Sequence, residues 1–353
     1  GAYRYPCYAG ITAFYLILEA LQRRSHRTHV ILPAYTAGSL VVAVRKAGLI
    51  PVLCDVSLRD FNMDTQSLAA RISVDTLAVV AVHMFGLPMR DIVSLRTQLK
   101  AETMLIEDCC QSMGSRINDF PTGSFGDISF TSFNRGKNFT TFGGGCITTD
   151  SAEHARNLEE VLAALEPAAQ QRLRLAFEIA AYRLGTNPWT YAALQPLVSR
   201  YKEIAPPKDF SATQLSGCRA FLGSRLLPRA DQLFLARYNN GRFLINGLRD
   251  TAGVILPEIP ANVFCVFNRL PILFEDAVRL ASVQSDLWKA GFETSRMYVQ
   301  PLHRMFDVGY NKEDFPNAMY VADHLLALSV YPGLSSSDLE RIVAVIKKQV
   351  RGS

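Results

Sequence analysis

The 353-residue sequence predicts an α/β fold: a three-layer large domain on a mostly parallel sheet, followed by a smaller C-terminal α/β domain. Three observations point there. Up to Asp150, short apolar runs alternate with helical patterns, the rhythm of strand–helix–strand units that set parallel strands side by side beneath helices. Apolar residues make up 49% of the chain, enough at this length to bury a large core. After a long helical stretch the alternation returns on a smaller scale. The expected division is therefore 1–228 for the large domain and 229–353 for a linking helix and the small domain.

Taken in order, the strand candidates are 30–32, 51–54, 77–82, 104–106 and 128–133, with helices at 12–23, 37–46 and 92–100 between them. Gly10-Ile11-Thr12 opens the first helix. A glycine turn entering a helix presents free N–H groups and the positive end of the dipole to an anion, though an ordinary helix start has the same look. Beyond Asp150, Leu173, Phe177, Ala181 and Leu184 recur at helical spacing before a Gly/Pro break at 185–188. With Arg172, Arg174 and Arg183 alongside, this helix reads as buried in the core or in a dimer interface, or as a membrane-surface element. A long helix over 229–249, a strand over 263–274 and helices over 277–290 and 336–350 complete the chain. The last of these is opened by a serine cap with Asp338 in its first turn.

The formal net charge is +5 with both signs interspersed, and no Lys/Arg block points to nucleic acid. The seven cysteines lack the spacing of a disulfide framework or a zinc site, Cys109-Cys110 being adjacent, so no metal is expected. Reduced thiols, the lack of a signal-peptide pattern and the lack of an apolar run of roughly 18 residues place the protein in the cytoplasm without a membrane span.

The chemistry concentrates in 105–150. One apolar run ends in Glu107 and Asp108, with Gln111 close behind; a second ends in Ser132, then Lys137, then Gly143-Gly144-Gly145. Asp108 and Lys137 fall at carboxyl ends of strands, where open α/β sheets bind ligands. A lysine amine that condenses with an aldehyde, and a carboxylate that keeps a pyridine nitrogen protonated, are what pyridoxal 5′-phosphate (PLP) requires.

The sequence Glu107–Gly114, E-D-C-C-Q-S-M-G, and the sequence Gly126–Asn138, G-D-I-S-F-T-S-F-N-R-G-K-N, resemble motifs of the DegT/DnrJ/EryC1/StrS sugar aminotransferases, which share the aspartate aminotransferase fold. His83-Met84-Phe85-Gly86, Phe315-Pro316-Asn317-Ala318 and Tyr331-Pro332-Gly333-Leu334 resemble three further motifs in the same order. The resemblance implies a PLP-dependent transaminase with Lys137 and Asp108 as catalytic residues. It implies phosphate contacts from Gly10, Ile11 or Thr12 and from Ser132, and Gln111 near the cofactor's phenolic oxygen. Tyr298, His303 and Asn317 are implied to approach the substrate. An amino donor, glutamate, and a keto sugar nucleotide are the implied partners, in a homodimer with shared active sites.

Departures from the family pattern matter as much. Ile11 stands where members carry threonine. Ala37 stands where an aromatic residue stacks on the cofactor ring, leaving Tyr35 or His83 as substitutes. Lys208-Asp209-Phe210-Ser211 stands where an asparagine and an arginine reach the partner's phosphate, with Lys208 as the remaining cation. Three rival readings follow: a dehydratase, which resembles the family but replaces the lysine with histidine; a cysteine desulfurase; and a degenerate, non-catalytic binding or regulatory protein. Asp108, Gln111, Ser132 and Lys137 together favour the transaminase.

Overall fold

The computed structural model describes residues 1–168, 172–185 and 209–351. Its first part is built on strands β1 (Tyr3–Cys7), β2 (His29–Pro33), β3 (Ile50–Cys54), β4 (Thr76–Val82), β5 (Met104–Asp108), the short β6 (Arg116–Ile117) and β7 (Phe120–Pro121), β8 (Ile128–Ser132) and β9 (Gly145–Thr149). All but β6 and β7 form one sheet in the order β1-β9-β8-β5-β4-β2-β3. The five strands from β8 to β3 run parallel, and β9 and β1 add on antiparallel at one side. In the centre β4, T-L-A-V-V-A-V, is buried at every position. A near-continuous apolar run, rich in valine, is what a strand covered on both faces requires. All five expected strands are present, while β1 and β9 carry too little apolar pattern to have been expected.

Helix α1 (Gly10–Gln22) begins two residues earlier than the sequence predicts and buries Ala13, Phe14, Ile17 and Leu21 against the sheet. Phe14 stacks on Phe130 of β8 with ring centroids 5.1 Å apart. Burying such a side chain contributes about 1.5–3 kcal/mol, and here it also seats the start of α1 beside the end of β8.

The helix Ala230–Leu248 leads into a second sheet of four strands, in which Leu270–Phe274 and Leu325–Leu328 are wholly buried. The helices Ala277–Lys289 and Ser336–Arg351 pack together over it. The last helix is capped at its start by a reciprocal pair: Asp338 N–H donates to Ser335 Oγ at 3.1 Å while Ser335 N–H donates to Asp338 Oδ2 at 3.0 Å. The strand expected over 263–274 is two strands. Val263–Phe264 pairs with β6, and Leu270–Phe274 joins the second sheet. The stretch between them is held to the first part instead: Val266 N–H donates to Ser115 Oγ at 2.9 Å and Asn268 N–H to Phe85 O at 2.9 Å. No described helix is long and apolar enough to cross a membrane.

Candidate active site

Parallel pairing brings Asp108, at the end of β5, level with Val82 of β4 and Phe130 of β8. Asp108 is 6% exposed. Its Oδ1 accepts the Cys110 N–H at 2.8 Å, and the Cys110 thiol adds a second donor. Burial pushes its carboxyl above the usual carboxylate range, against those hydrogen bonds and the charge of Lys137. No salt bridge joins it to a cation among the described residues. A buried carboxylate left in that state is costly unless a cation arrives with a ligand.

Lys137 lies in a loop that leaves β8 and folds back on Phe133, whose carbonyl accepts both Thr141 N–H (3.0 Å) and Gly143 N–H (3.2 Å). The Lys137 side chain is half-buried and has no hydrogen bond or ion pair among the described residues, yet its charge bears on Asp108 and Cys110. Its neighbours are fixed. Asn138 donates its amide to the carbonyls of Gln111 (3.0 Å) and Val266 (2.9 Å), and Asn268 donates to Gly136 O at 2.6 Å. Arg219, nearly buried, clamps the far side of the loop through Thr141 O at 2.8 Å and Glu178 at 2.7 Å. Asn138, Asn268 and Arg219 were not singled out in the sequence. Only Asn138 had a signal there, as the last letter of a motif.

The N-terminus of α1 meets the end of β8 directly. A Cβ on Gly10 would lie 2.8 Å from Ser132 Cβ and 3.0 Å from Cys110 Sγ, so only glycine permits this approach. Ala9 caps the helix without a side-chain acceptor, and no acidic residue stands in the first turn. The N–H groups of the first turn lack intrahelical partners, and they point toward an anion site. Ser132 Oγ accepts Asn134 N–H at 3.3 Å, leaving its own proton to donate. Gly10, Ile11 and Ser132 thus form a cradle suited to a phosphate. Thr12 is present only through its backbone: its hydroxyl is fully buried and donates to Ser211 O at 3.0 Å, away from the cradle.

The other candidates divide. Gln111 is buried beside Asp108, with Oε1 accepting Phe85 N–H at 3.1 Å and Nε2 donating to Tyr298 OH at 3.3 Å. Phe85 holds a positive φ of 60°, a conformation that its side chain disfavours and that this hydrogen bond supports. Tyr298 therefore does reach the site. His83 serves the scaffold instead. Its Nδ1 accepts Met89 N–H at 3.0 Å, so its proton is on Nε2, which donates to Glu107 at 2.9 Å, and both side chains are fully buried. Cys109 joins those two within 4.8 Å, but both groups are already committed to protein partners, and nothing there points to an ion. Tyr35 is fully buried, its hydroxyl toward Arg296 O at 3.5 Å.

Asn317 and His303 stand beyond the end of β3, three strands from β5. Asn317 donates its amide to Val56 O at 2.9 Å, and Asp55 accepts the N–H groups of Asn317 (3.0 Å) and Ala318 (2.8 Å). The Asn317 amide, expected from the sequence to face substrate, thus also fastens the start of the helix Pro316–His324. His303 contacts Lys312 O at 3.3 Å and rests its ring edge-on to Phe315, with Nδ1 buried and unpartnered. Burial pushes its imidazole below the usual histidine range. Lys208 lies outside the described residues. Its neighbour Asp209 pairs with Lys46 at 2.5 Å, and Phe210 lies under the same ammonium.

The residues present suit PLP: an uncapped helix start with a serine hydroxyl for its phosphate, an uncompensated buried carboxylate for its ring nitrogen, and an unpartnered lysine for its aldehyde. The comparisons agree. A 3-aminotransferase of Acidithiobacillus ferrooxidans, named for UDP-N-acetyl-3-dehydro-α-D-glucosamine, is 30% identical over 98% of this chain and 84% of its own. A Saccharopolyspora spinosa relative, named as a dTDP-4-dehydro-2,6-dideoxy-D-glucose 3-dehydratase, is 27% identical over 87% of this chain and 66% of its own. The fold superposes on S. venezuelae DesV with a TM-score of 0.79 at 21% identity, over 99% of this chain and 85% of that one. The sequence profile of one PLP-dependent family matches residues 7–187 and 199–347, and the chain belongs to that family, the DegT/DnrJ/EryC1/StrS aminotransferases.

Proposed function

We propose that this aminotransferase takes an amino group from glutamate and delivers it to a keto group of a nucleotide-linked sugar, in cell-surface polysaccharide or secondary-metabolite sugar biosynthesis. The observation that carries the reading is the meeting of Asp108, Ser132, Lys137 and the α1 N-terminus at the carboxyl ends of the neighbouring strands β5 and β8. The name of the A. ferrooxidans relative supports the substrate class. The retained Lys137 favours amino transfer over dehydration.

When bound, PLP supplies an electron sink for the carbanion left when a proton leaves the donor's α-carbon. The N–H groups of Gly10 and Ile11 and the Ser132 hydroxyl hold its phosphate. Asp108 holds a proton on the ring nitrogen and gains the cation that its buried carboxylate lacks. Lys137 Nζ would hold the cofactor's aldehyde and, when free, would take up and return the proton of the donor's α-carbon as general base and acid. Asn138, Asn268 and Arg219 keep the lysine loop in position.

The same reading makes the protein a cytoplasmic homodimer with the division at 228/229. All seven cysteines are free thiols, in keeping with a reducing compartment. In the helix Arg172–Gly185 only Leu175 is buried, while Leu173, Phe177 and Leu184 are 88%, 74% and 64% exposed. Phe221, on a helix that touches it, is 67% exposed. An apolar surface of this kind marks an interface, and a second copy of the chain is the occupant the reading names.

The test is the visible spectrum of the protein with PLP, before and after glutamate, beside Lys137→Ala. The wild type should show a visible band that glutamate shifts. Lys137→Ala should lack it, lose at least about 10³-fold in transamination rate, and melt as the wild type does. A wild type that binds PLP without responding to any amino donor would overturn the reaction; one that never binds PLP would favour the non-catalytic alternative.

A further inference from the structure

The ring of the cofactor needs a cover, and the usual position for one is empty of aromatic character: Ala37, just beyond β2, has only a methyl group. The two substitutes that the sequence offered are otherwise engaged. Both ring nitrogens of His83 are held, by Met89 N–H and Glu107, with the residue fully buried on the far side of β5 from Asp108's carboxylate. Tyr35 is fully enclosed and presents its ring edge-to-face to another aromatic residue, Tyr298, at 5.5 Å between centroids.

Tyr298 is the aromatic side chain that does reach the site. It comes from the C-terminal part, on the loop after Thr294–Ser295, and follows Met297, whose φ of 51° turns the backbone sharply. Its hydroxyl accepts the Gln111 amide at 3.3 Å, and Gln111 follows Asp108 by one short turn. We propose that Tyr298 is the aromatic cover of the PLP ring, braced behind by Tyr35 and held in plane by Gln111. The inference rests on the functional reading above and adds to it the group that replaces the missing aromatic residue at position 37. Burial, and the nearby charges of Asp108 and Cys110, push the Tyr298 hydroxyl above the usual tyrosine range, in keeping with a neutral phenol that faces the carboxylate's side of the site. A cover drawn from the C-terminal part also couples cofactor retention to the packing of that part on the first sheet, where Leu302 N–H donates to Ala34 O at 2.7 Å.

The experiment titrates PLP into the full-length wild type, Tyr298→Phe and Tyr298→Leu, reading the visible absorbance, the circular dichroism of the bound cofactor in the same band, and thermal melting of each protein without PLP. Tyr298→Leu should bind PLP about tenfold more weakly, the upper end of what one aromatic face contributes, and should lose much of the induced dichroism. Tyr298→Phe should stay within about twofold, since it keeps the face and loses only one neutral hydrogen bond. Should Tyr298→Leu not fold, Tyr298→Met takes its place. Equal affinity for wild type and Leu overturns the assignment while leaving the functional reading intact, and so does a Phe variant as weak as Leu, since the hydroxyl would then be what matters. A wild type that never binds PLP overturns both.

Discussion

Glu107 and Asp108 are consecutive carboxylates on one strand, and the fold treats them in opposite ways. Alternation along β5 sends them to opposite faces of the sheet. Glu107 is fully buried and fully answered: Oε2 accepts His83 Nε2–H at 2.9 Å and Gly123 N–H at 2.8 Å, and Oε1 accepts Phe125 N–H at 2.7 Å and Gly126 N–H at 2.6 Å. Burial alone would push its carboxyl up, but those donors outweigh it and hold the group below its ordinary value. Among the described residues Asp108 accepts hydrogen bonds from Cys110 alone, and there burial prevails over them and over the charges of Lys137 and His83. A carboxylate whose charge the scaffold has compensated is scaffold. One left uncompensated at a strand end is held for something that is not protein.

Exchanging each acid for its amide should separate the two, and the larger effect is expected at Asp108. Asp108→Asn should lower kcat for amino transfer by about 10²–10³-fold, the scale of losing one aimed electrostatic group in a buried site. Its melting temperature without PLP should hold or rise, because an uncompensated buried charge has been removed. Steady-state kinetics and a thermal scan on the same preparation check both halves. A large loss of stability would mean that Asp108 is scaffold as well.

Glu107→Gln should do the reverse. The new NH₂ meets a donor, Gly123 N–H or His83 Nε2–H, where an acceptor stood, and urea unfolding should show a loss of about 2–4 kcal/mol, with PLP affinity kept in the folded fraction. Titration sharpens this. The folded pKa of Glu107 lies below the unfolded value of about 4.3, so its contribution is fully present above that value and is lost as pH falls through the folded pKa. Wild-type stability should therefore fall more steeply than that of Glu107→Gln below about pH 4.3.

What the sequence made legible follows the same division. Gly10, Asp108, Ser132 and Lys137 could be read because their chemistry is carried by residue type and by position at strand and helix ends, and the parallel sheet that gathers them has a clear pattern. His83, Thr12 and Asn317 could be found but their protein partners could not, because side-chain direction and partner are tertiary facts. Arg219 and Asn268 gave no signal at all. Each acts on the lysine loop from more than 70 residues away, through a backbone carbonyl that no motif encodes. Strands β1 and β9 were missed for a related reason: Y-R-Y-P-C and G-C-I-T-T form only because they pair with each other and with β8.

The smallest expected effect belongs to Asn317, and it tests whether the comparison holds away from the cofactor. The residue matches a family motif and was expected to approach the sugar, yet its amide donates to Val56 O and its backbone to Asp55. If it is answered as Glu107 is, Asn317→Ala should cost about 1 kcal/mol of stability, one neutral hydrogen bond, and leave KM for the keto sugar unchanged. If it resembles Asp108, stability should hold while KM rises. The two outcomes lie on different axes, so urea unfolding and a KM measurement on one variant decide between them. We expect the first, because Asn317 Nδ2 is held by Val56 O and the Asn317 N–H by Asp55, which ties the residue to the start of the helix Pro316–His324.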